Sequence, residues 1–161
     1  SATTENLKKA AKNLGIDSQR LVFAKHMSVE DHLERIKLAD LFLDTLPYNA
    51  HTTTSDALRM GLPVLTLIGE SFASRVAASL LHAVNMSELI TFSEDQYIKT
   101  AIKIASSQKN LEKIKKKLSI NLSKSFLFDS KLFTKNLEDS FRQMYENQKN
   151  GLDLDDIYIK N

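Results

Sequence analysis

The sequence predicts an α/β domain in which helices flank a parallel sheet on both faces. Three short apolar runs typical of buried strands, Leu21–Phe23, Leu41–Leu43 and Val64–Leu67, alternate with segments of helical periodicity. This alternation is typical of strand–helix–strand units, which produce parallel strands. With 161 residues, the chain has the length of one domain built around one substantial core.

The first two helices are recognised by their ends. An apolar stripe over residues 7–14 predicts the first helix, and Gly15 ends it. Ser28 and Asp31 stand three residues apart, which is the spacing of a capping arrangement, and they predict the N-terminus of the second helix. The strand Leu21–Phe23 is expected between these two helices.

The junction that follows the strand Leu41–Leu43 has the features of an anion site. After a short loop, Thr52–Ser55 open a helix that Gly61 closes. The first turn of a helix presents unpaired backbone N–H groups and a partial positive charge, and hydroxyl groups there add donors. His51 precedes this turn, and we place Asp56 within it. A run of Ser and Thr in front of an apolar stripe is, however, more often only a helix cap.

The later elements continue the alternation. After Val64–Leu67, an Ala-rich helix is expected over Phe72–Leu81, followed by a further strand. Helical stripes over residues 111–118 and 132–145 predict the last helices, and the final stripe is expected to pack in the core.

A capping box predicts the helix that follows the last strand. Ser93 and Gln96 are spaced to satisfy each other's backbone N–H groups. Apolar residues recur behind them at helical spacing, so that one side of this helix is expected to be buried. That side consists of Tyr97, Ile98, Ala101, Ile102 and Ala105.

Composition and charge exclude several function classes. The net charge is +2 with acidic and basic residues interspersed, which is not the basic footprint of a nucleic-acid-binding protein. The sequence has no cysteine and no histidine–carboxylate cluster with metal-ligand spacing, so we expect neither disulfides nor a metal site. No apolar run approaches the roughly 20 residues of a membrane span, and no signal peptide is recognised. These features predict a soluble, cytoplasmic protein.

Five short motifs occur in a specific order. Leu43–Thr45 read LDT, His51–Thr53 read HTT, Asp56 follows, and Gly61–Pro63 read GLP, while residues 69–80 read GESFASRVAASL. In letters and spacing, these segments resemble the donor-sugar half of the O-GlcNAc transferase and SPINDLY family of glycosyltransferases. A run of a dozen matched letters is far more specific than a single glycine motif.

The resemblance implies a domain organisation. Residues 1–146 are expected to form a Rossmann-like nucleotide-sugar-binding domain that is incomplete at its N-terminus, and residues 147–161 a polar tail or crossing segment. The fold implied is the C-terminal half of a GT-B type glycosyltransferase, with helices at its C-terminal end. In such sheets the ligand binds at the carboxyl ends of the strands.

The resemblance also implies which side chains bind the donor. In the family, the residues that match His51, Thr52 and Thr53 contact the diphosphate. The one that matches Asp56 holds the ribose, and those that match His32 and Arg35 lie on the uridine side of the pocket. The complete set of candidate binding residues is His32, Arg35, His51, Thr52, Thr53 and Asp56. No catalytic residue is assigned, because a lone carboxylate such as that of Glu70 has no placed partner.

The activity implied is transfer of GlcNAc from UDP-GlcNAc to a Ser or Thr hydroxyl of a protein, with UDP as the leaving group and without a metal or other cofactor. The family's tetratricopeptide repeats and acceptor-binding half are expected upstream of Ser1, so that the isolated chain is expected to bind donor weakly and to be inactive. Two alternatives remain. One is a nucleotide-sugar epimerase of GT-B architecture, which the HTT and SRVAAS motifs disfavour, and the other is a non-catalytic module for protein interaction.

Two departures from the family pattern carry structural expectations. Ala50 stands where the family usually has glycine, which predicts a stiffer or differently turned loop before His51. The family also has two strands between those that match Leu21–Phe23 and Leu41–Leu43, and neither is present here. Because unpaired strand edges are adhesive, we expect either direct pairing of these two strands or contact with a second copy, and we favour homodimerisation.

Overall fold

The computed structural model describes residues 1–159 of the chain. These residues fall into two units, one of residues 1–32 and one from Leu33 onward. The first unit contains one complete helix and the start of another, and the second contains the sheet and the remaining helices. Within the described range, no helix is long and apolar enough to cross a membrane.

The first unit begins with α1 (Ala2–Asn13). The Ser1 hydroxyl caps this helix by accepting a hydrogen bond from the Thr4 N–H at 3.3 Å, which satisfies one of the unpaired first-turn donors. As predicted, Gly15 follows the end of the helix. Its φ of +72° lies in the left-handed region, where glycine has no side chain to clash.

The predicted strand Leu21–Phe23 is wrong, because these residues form no strand in the structure. A strand needs a neighbouring backbone with which to exchange hydrogen bonds, and the Leu21 N–H instead bonds locally to the Ser18 carbonyl at 3.2 Å. The Val22 side chain is 88% exposed, so the apolar run does not mark a buried strand here. The expected direct pairing of this segment with the strand at Leu43 is therefore wrong as well, whereas homodimerisation remains a prediction.

The second helix, α2 (Val29–Ile36), begins where the sequence predicts. The Asp31 N–H donates to the Ser28 hydroxyl at 3.1 Å, and this hydroxyl donates to the Asp31 carboxylate at 2.9 Å. The Ser28 side chain therefore both caps the helix and fixes the first-turn carboxylate next to the positive end of the helix dipole.

The sheet has three parallel strands in the order β1 (Phe42–Leu43), β2 (Val64–Leu67) and β3 (Ile90–Thr91). The first two were predicted at these positions, and Val64, Leu65 and Thr66 of the central strand are fully buried. In register, Phe42 is opposite Val64 and Thr66 is opposite Ile90. Parallel pairing places the carboxyl ends of all three strands at one edge.

Two helices connect the strands. α3 (Thr52–Arg59) joins β1 to β2, and α4 (Val76–Ala83) joins β2 to β3 after a short turn of 3-10 helix over Phe72–Ser74. Right-handed crossovers that advance in one direction place both helices on the same face, and α3 and α4 do pack against each other and against β2. The predicted continuous helix from Phe72 to Leu81 is thus divided at Arg75.

The helix after the last strand, α5 (Glu94–Ala105), packs against β2 and β3. Its predicted buried side is only partly correct, because Ile98 and Ile102 are more than half exposed while Ile104 is buried. Tyr97 and Ile104 lie on the side that faces the core. Two apolar stripes run side by side on this helix, and periodicity alone does not say which of them meets the sheet.

The hydrophobic core of the second unit draws on the sheet, on α3 to α5 and on α6 (Gln108–Leu122). Its side chains come from every one of these elements, so that the sheet and the helices hold one another in place. The largest fully buried apolar side chains are Leu58, Leu65, Leu81, Met86, Leu89 and Leu118.

The last helix, α7 (Ser130–Lys149), is present as predicted, but its stripe does not enter the core. No residue of α7 is buried in the described chain, and Phe133, Phe141 and Tyr145 are more than half exposed. The helix continues beyond residue 146, and the division at residues 146 and 147 stays a prediction. Residues 160–161 of the expected tail lie outside the described residues.

Candidate functional site

The candidate site lies where β1 ends and α3 begins, at the edge formed by the carboxyl ends of the strands. The chain leaves β1 at Leu43 and reaches α3 at Thr52 through a loop, residues 44–51. A cavity of about 500 Å³ lies at this junction and is lined only by residues 42–53. His51, Thr52 and Thr53, three of the six predicted binding residues, line it.

The loop is organised around the buried carboxylate of Asp44, which is 4% exposed. One oxygen, Oδ1, accepts hydrogen bonds from the backbone N–H groups of Thr45 at 2.9 Å and of Ala50 at 2.7 Å. The other, Oδ2, accepts from the Asn49 amide and from the Thr66 hydroxyl, both at 2.7 Å. Because both ends of the loop are bonded to one carboxylate, its backbone is closed into a ring around that group.

The Asn49 side chain ties the loop to the neighbouring strand. Its Nδ2 group lies 2.8 Å from the Thr66 hydroxyl and 3.0 Å from the Leu67 carbonyl oxygen, and its backbone N–H donates to the Ala73 carbonyl at 3.1 Å. The amide orientation follows from its neighbours, since a flipped amide would place Oδ1 against the Asp44 carboxylate. Oδ1 is buried without a partner among the described residues.

His51 is the N-cap residue of α3 and is held on three sides. Its Nε2 lies 3.1 Å from the Ala73 carbonyl oxygen, and because a carbonyl only accepts, Nε2 carries the proton and Nδ1 is the nitrogen that remains for a ligand. The ring stacks on Tyr48 with 5.0 Å between centroids and meets Phe72 edge to face at 5.9 Å. The imidazole is therefore fixed in orientation before any ligand binds.

The N-terminus of α3 has no side-chain cap. His51 makes no capping hydrogen bond, and the first turn contains no acidic residue. The Ser55 N–H is bonded to the His51 carbonyl at 3.1 Å, whereas first-turn N–H groups have no partner within the helix. Thr52 and Thr53 are exposed and line the cavity beside these donors. The junction thus offers backbone donors, hydroxyl groups and the positive end of a helix dipole to an anion.

The position of Asp56 corrects one expectation. Since α3 begins at Thr52, Asp56 is its fifth residue and lies outside the first turn, where the effect of the helix dipole on a carboxylate is small. The side chain is half-buried, does not line the cavity, and makes no side-chain hydrogen bond or ion pair with a described residue. Its role in holding a ribose stays a prediction.

His32 and Arg35, the predicted uridine-side residues, both lie on α2 and are half-buried. They are three residues apart, which places them on one face of the helix. His32 belongs to the first unit and Arg35 to the second, and Arg35 is not among the residues that line the cavity. Their part in donor binding also stays a prediction.

Sequence reasoning assigned no role to Asp44, Asn49 and Thr66, which shape the loop. Two signals pointed to them: a carboxylate directly behind an apolar strand, and a hydroxyl within the apolar run of β2.

The sequence left two roles open for Arg75, phosphate binding and a structural contact. The structure shows a structural contact, since its Nη1 donates to the Gly69 carbonyl at 3.0 Å. Ala50 has no positive φ, and its N–H is one of the donors to Asp44. That the alanine makes the loop before His51 stiffer or differently turned than in the family stays a prediction.

Comparison with known proteins identifies relatives of this chain. Residues 1–137 match the model of Glycosyl transferase family 41. The UDP-N-acetylglucosamine–peptide N-acetylglucosaminyltransferase of Caenorhabditis elegans is 35% identical over 153 residues, which are 95% of this chain and 13% of that protein. The probable enzyme of the same name from Solanum lycopersicum, SPINDLY, is 36% identical over 143 residues, which are 86% of this chain and 15% of that protein.

A solved structure shows the same architecture. A mutant of the O-GlcNAc transferase of Thermobaculum terrenum superposes with a TM-score of 0.80 at 33% identity, over 91% of this chain and 28% of that one. The described sheet and helices therefore match the C-terminal domain of a GT-B glycosyltransferase, as predicted, and the chain spans less than a third of each of these proteins. The match over residues 1–137 shows that this chain belongs to Glycosyl transferase family 41.

Proposed function

We propose that this chain is the donor-binding part of a protein O-glycosyltransferase that transfers GlcNAc from UDP-GlcNAc to Ser or Thr hydroxyls. The observation that carries the proposal is the uncapped N-terminus of α3, whose Thr52 and Thr53 line a cavity at the carboxyl ends of the strands. Family membership adds support, since the named relatives are N-acetylglucosaminyltransferases that use a UDP-linked sugar.

The junction suits a diphosphate by its charge and its donors. Backbone N–H groups of the first turn and two threonine hydroxyls supply hydrogen bonds and partial positive charge to phosphate oxygens. Because Nε2 of His51 already donates to the Ala73 carbonyl, its imidazole donates to a phosphate from Nδ1 only as the doubly protonated imidazolium. These groups are held in place by the fold, so they stabilise negative charge without rearranging as it grows on the departing UDP. In this proposal the nucleotide sugar is a substrate, and no further cofactor takes part.

The remaining predicted residues complete the donor site in this proposal. The half-buried Asp56 carboxylate accepts hydrogen bonds from the ribose hydroxyls, and His32 and Arg35 bind on the uridine side. A guanidinium suits that place because its flat face stacks on a nucleobase. The acceptor protein and the group that takes its proton are assigned to the part of the enzyme outside this chain.

Two further properties belong to the proposal. The absence of cysteine suits the reducing cytoplasm, where we place the protein. Homodimerisation remains our preferred assembly, because β1 lies at an edge of the sheet and Leu43 is 52% exposed. Light scattering on the dilute chain tests the assembly, and a monodisperse monomer would count against it.

The donor site is tested by titrating the ¹⁵N-labelled chain with UDP, and with ADP and CDP as comparison nucleotides. We expect UDP to shift the amide signals of residues 52–56 most strongly and at the lowest concentration. Thr53→Val, which removes one hydroxyl without changing the shape of the side chain, is expected to weaken UDP binding about fivefold. Thr3→Val is the matched control, because Thr3 is the second residue of α1 as Thr53 is of α3.

Loss of Asp56 tests the ribose contact. Asp56→Ala is expected to weaken UDP binding by about 1–3 kcal/mol through a lost charge-assisted hydrogen bond, and to leave the binding of inorganic diphosphate unchanged. No shifts over residues 52–56 at millimolar UDP, or equal and diffuse shifts with all three nucleotides, would refute the donor site and favour the non-catalytic module.

A further inference from the structure

We propose that Asp44 is a positioning residue for the donor site: its buried carboxylate sets the shape of the loop 44–51 and thereby the affinity of the α3 N-terminus for a nucleoside diphosphate. The inference deepens the proposed function and rests on it. Nothing in the comparisons or in the predicted binding set assigns a role to this side chain.

The charge of Asp44 is unusual for its position. The carboxylate is buried and lines the same cavity as Thr52 and Thr53, where a diphosphate would bring more negative charge. No lysine or arginine forms an ion pair with it within residues 1–159. By Coulomb's law alone, a carboxylate here opposes the binding of an anion.

Geometry explains why a carboxylate nevertheless stands at this position. Its two oxygens accept four hydrogen bonds, two from the loop backbone at Thr45 and Ala50 and two from the side chains of Asn49 and Thr66. An ionised carboxylate is the only side chain of this length that accepts at both oxygens. An asparagine would turn an NH₂ group toward one pair of donors and lose those bonds.

The loop passes this constraint to the groups that face the ligand. The Ala50 N–H, bonded to Asp44 at 2.7 Å, immediately precedes His51, and the Asn49 N–H and the His51 imidazole share the Ala73 carbonyl as acceptor. A change in the Asp44 contacts therefore moves the N-cap residue and the first turn of α3. Small displacements of preorganised donors weaken the binding of an anion strongly.

The two effects of removing the charge have opposite signs, and this makes the inference testable. Asp44→Asn deletes a negative charge beside the cavity, so electrostatics alone predicts tighter UDP binding. Positioning predicts weaker binding, by about tenfold, because the loop loses its fixed shape. Asp40→Asn is the matched control: it removes the same charge from an exposed side chain just before β1, and UDP affinity is expected to stay within about twofold.

A second pair of variants tests the same point if Asp44→Asn folds poorly. Thr66 lies in the centre of β2, does not line the cavity and donates to Asp44 at 2.7 Å. Thr66→Val keeps the branched shape and removes the hydroxyl, and we expect UDP affinity to fall about threefold. Thr66→Ser keeps the hydroxyl and is expected to restore the wild-type affinity.

The readouts are the UDP dissociation constant from amide shifts and the hydrogen-exchange rate of the Ala50 N–H without ligand. Faster exchange at Ala50 together with weaker UDP binding supports the inference. Unchanged or tighter binding in Asp44→Asn, or equal affinities of Thr66→Val and Thr66→Ser, overturns it.

Failure of the proposed function gives a different pattern. If the wild-type chain shows no response to UDP, the donor site is refuted, and the effect of Asp44 on the loop is still decided by the ligand-free spectra. Signals of residues 50–53 that coincide in Asp44→Asn and wild type overturn the inference. Signals that move there, while those around Ser93 stay, support the positioning of the loop by Asp44.

Discussion

Two strand–helix junctions at the same edge of the sheet differ in how they use the N-terminus of the helix. After β3, the Ser93 hydroxyl accepts the Gln96 N–H at 3.2 Å and the Gln96 side chain accepts the Phe92 N–H at 2.9 Å. The first turn of α5 also carries Glu94 and Asp95. One first-turn donor of this helix is thus occupied by the Ser93 cap, and the two carboxylates of the first turn repel anions.

The junction after β1 is built in the opposite way. α3 has neither a side-chain cap nor an acidic residue in its first turn, and the polar groups of the preceding loop are bonded to Asp44 and β2 instead of to the helix. The α3 N-terminus, which lacks a cap and first-turn acids, therefore suits an anion better than the α5 N-terminus does. α5 helps to hold the loop after β1, since the Tyr97 hydroxyl donates to the Asp44 carbonyl at 2.8 Å.

The largest expected effect is a difference between the two junctions in their contribution to the free energy of unfolding. Asp44→Ala removes a buried acceptor of four hydrogen bonds and leaves its donors unsatisfied, so we expect the free energy of unfolding to fall by about 3 kcal/mol. Ser93→Ala removes one exposed cap and is expected to cost about 1 kcal/mol. Urea unfolding measures both, with the exposed Asp40→Ala as control. Equal losses for Asp44→Ala and Ser93→Ala would show that the two junctions are held alike.

A substitution at the N-cap of α3 is expected to make the junction after β1 resemble the junction after β3. His51→Asp places a carboxylate at the N-cap of α3, where it accepts first-turn N–H groups as Ser93 does in α5. The donors are then occupied and the site carries a negative charge, so UDP binding is expected to weaken at least about tenfold. Calorimetric titration measures the affinity, and Ser93→Asp is the control on α5. Undiminished UDP binding in His51→Asp would remove the α3 N-terminus from the donor site.

The smallest effect concerns the link between the junctions. Burial, and secondarily the Asp44 carboxylate, raises the pKa of the Tyr97 phenol above its ordinary value of 10.0. The neutral phenol is thus favoured in the folded state, and its contribution to stability is complete below pH 10 and is lost as the pH rises through the folded-state pKa.

Tyr97→Phe is therefore expected to cost about 1 kcal/mol at pH 7, through the lost hydrogen bond, and less at higher pH. Urea unfolding from pH 7 to above pH 10 measures the difference between variant and wild type. Tyr145→Phe on α7, more than half exposed, controls for the loss of a phenol. A difference between Tyr97→Phe and wild type that does not shrink above pH 10 would contradict the prediction.

Local signals in the sequence determined much of the fold. Buried strands such as Val64–Leu67 and capped helix starts such as Ser93 were predicted correctly, because an apolar run or a capping pair acts within a few residues. The order of the motifs determined the family and the place of His51, Thr52 and Thr53 at the end of β1.

Strand pairing, the buried side of a helix and buried hydrogen bonds depend on partners that are distant in sequence, so only the tertiary structure showed them. Leu21–Phe23 forms no strand because no described backbone pairs with it, and α5 buries Ile104 and exposes Ile98 because the sheet meets one of two apolar stripes. The role of Asp44 belongs to the same class, since one of its donors, Thr66, lies 22 residues away on the next strand. A short sequence pattern shows which hydrogen-bonding groups a residue has. Partners that are distant in sequence come close to those groups only in the folded chain.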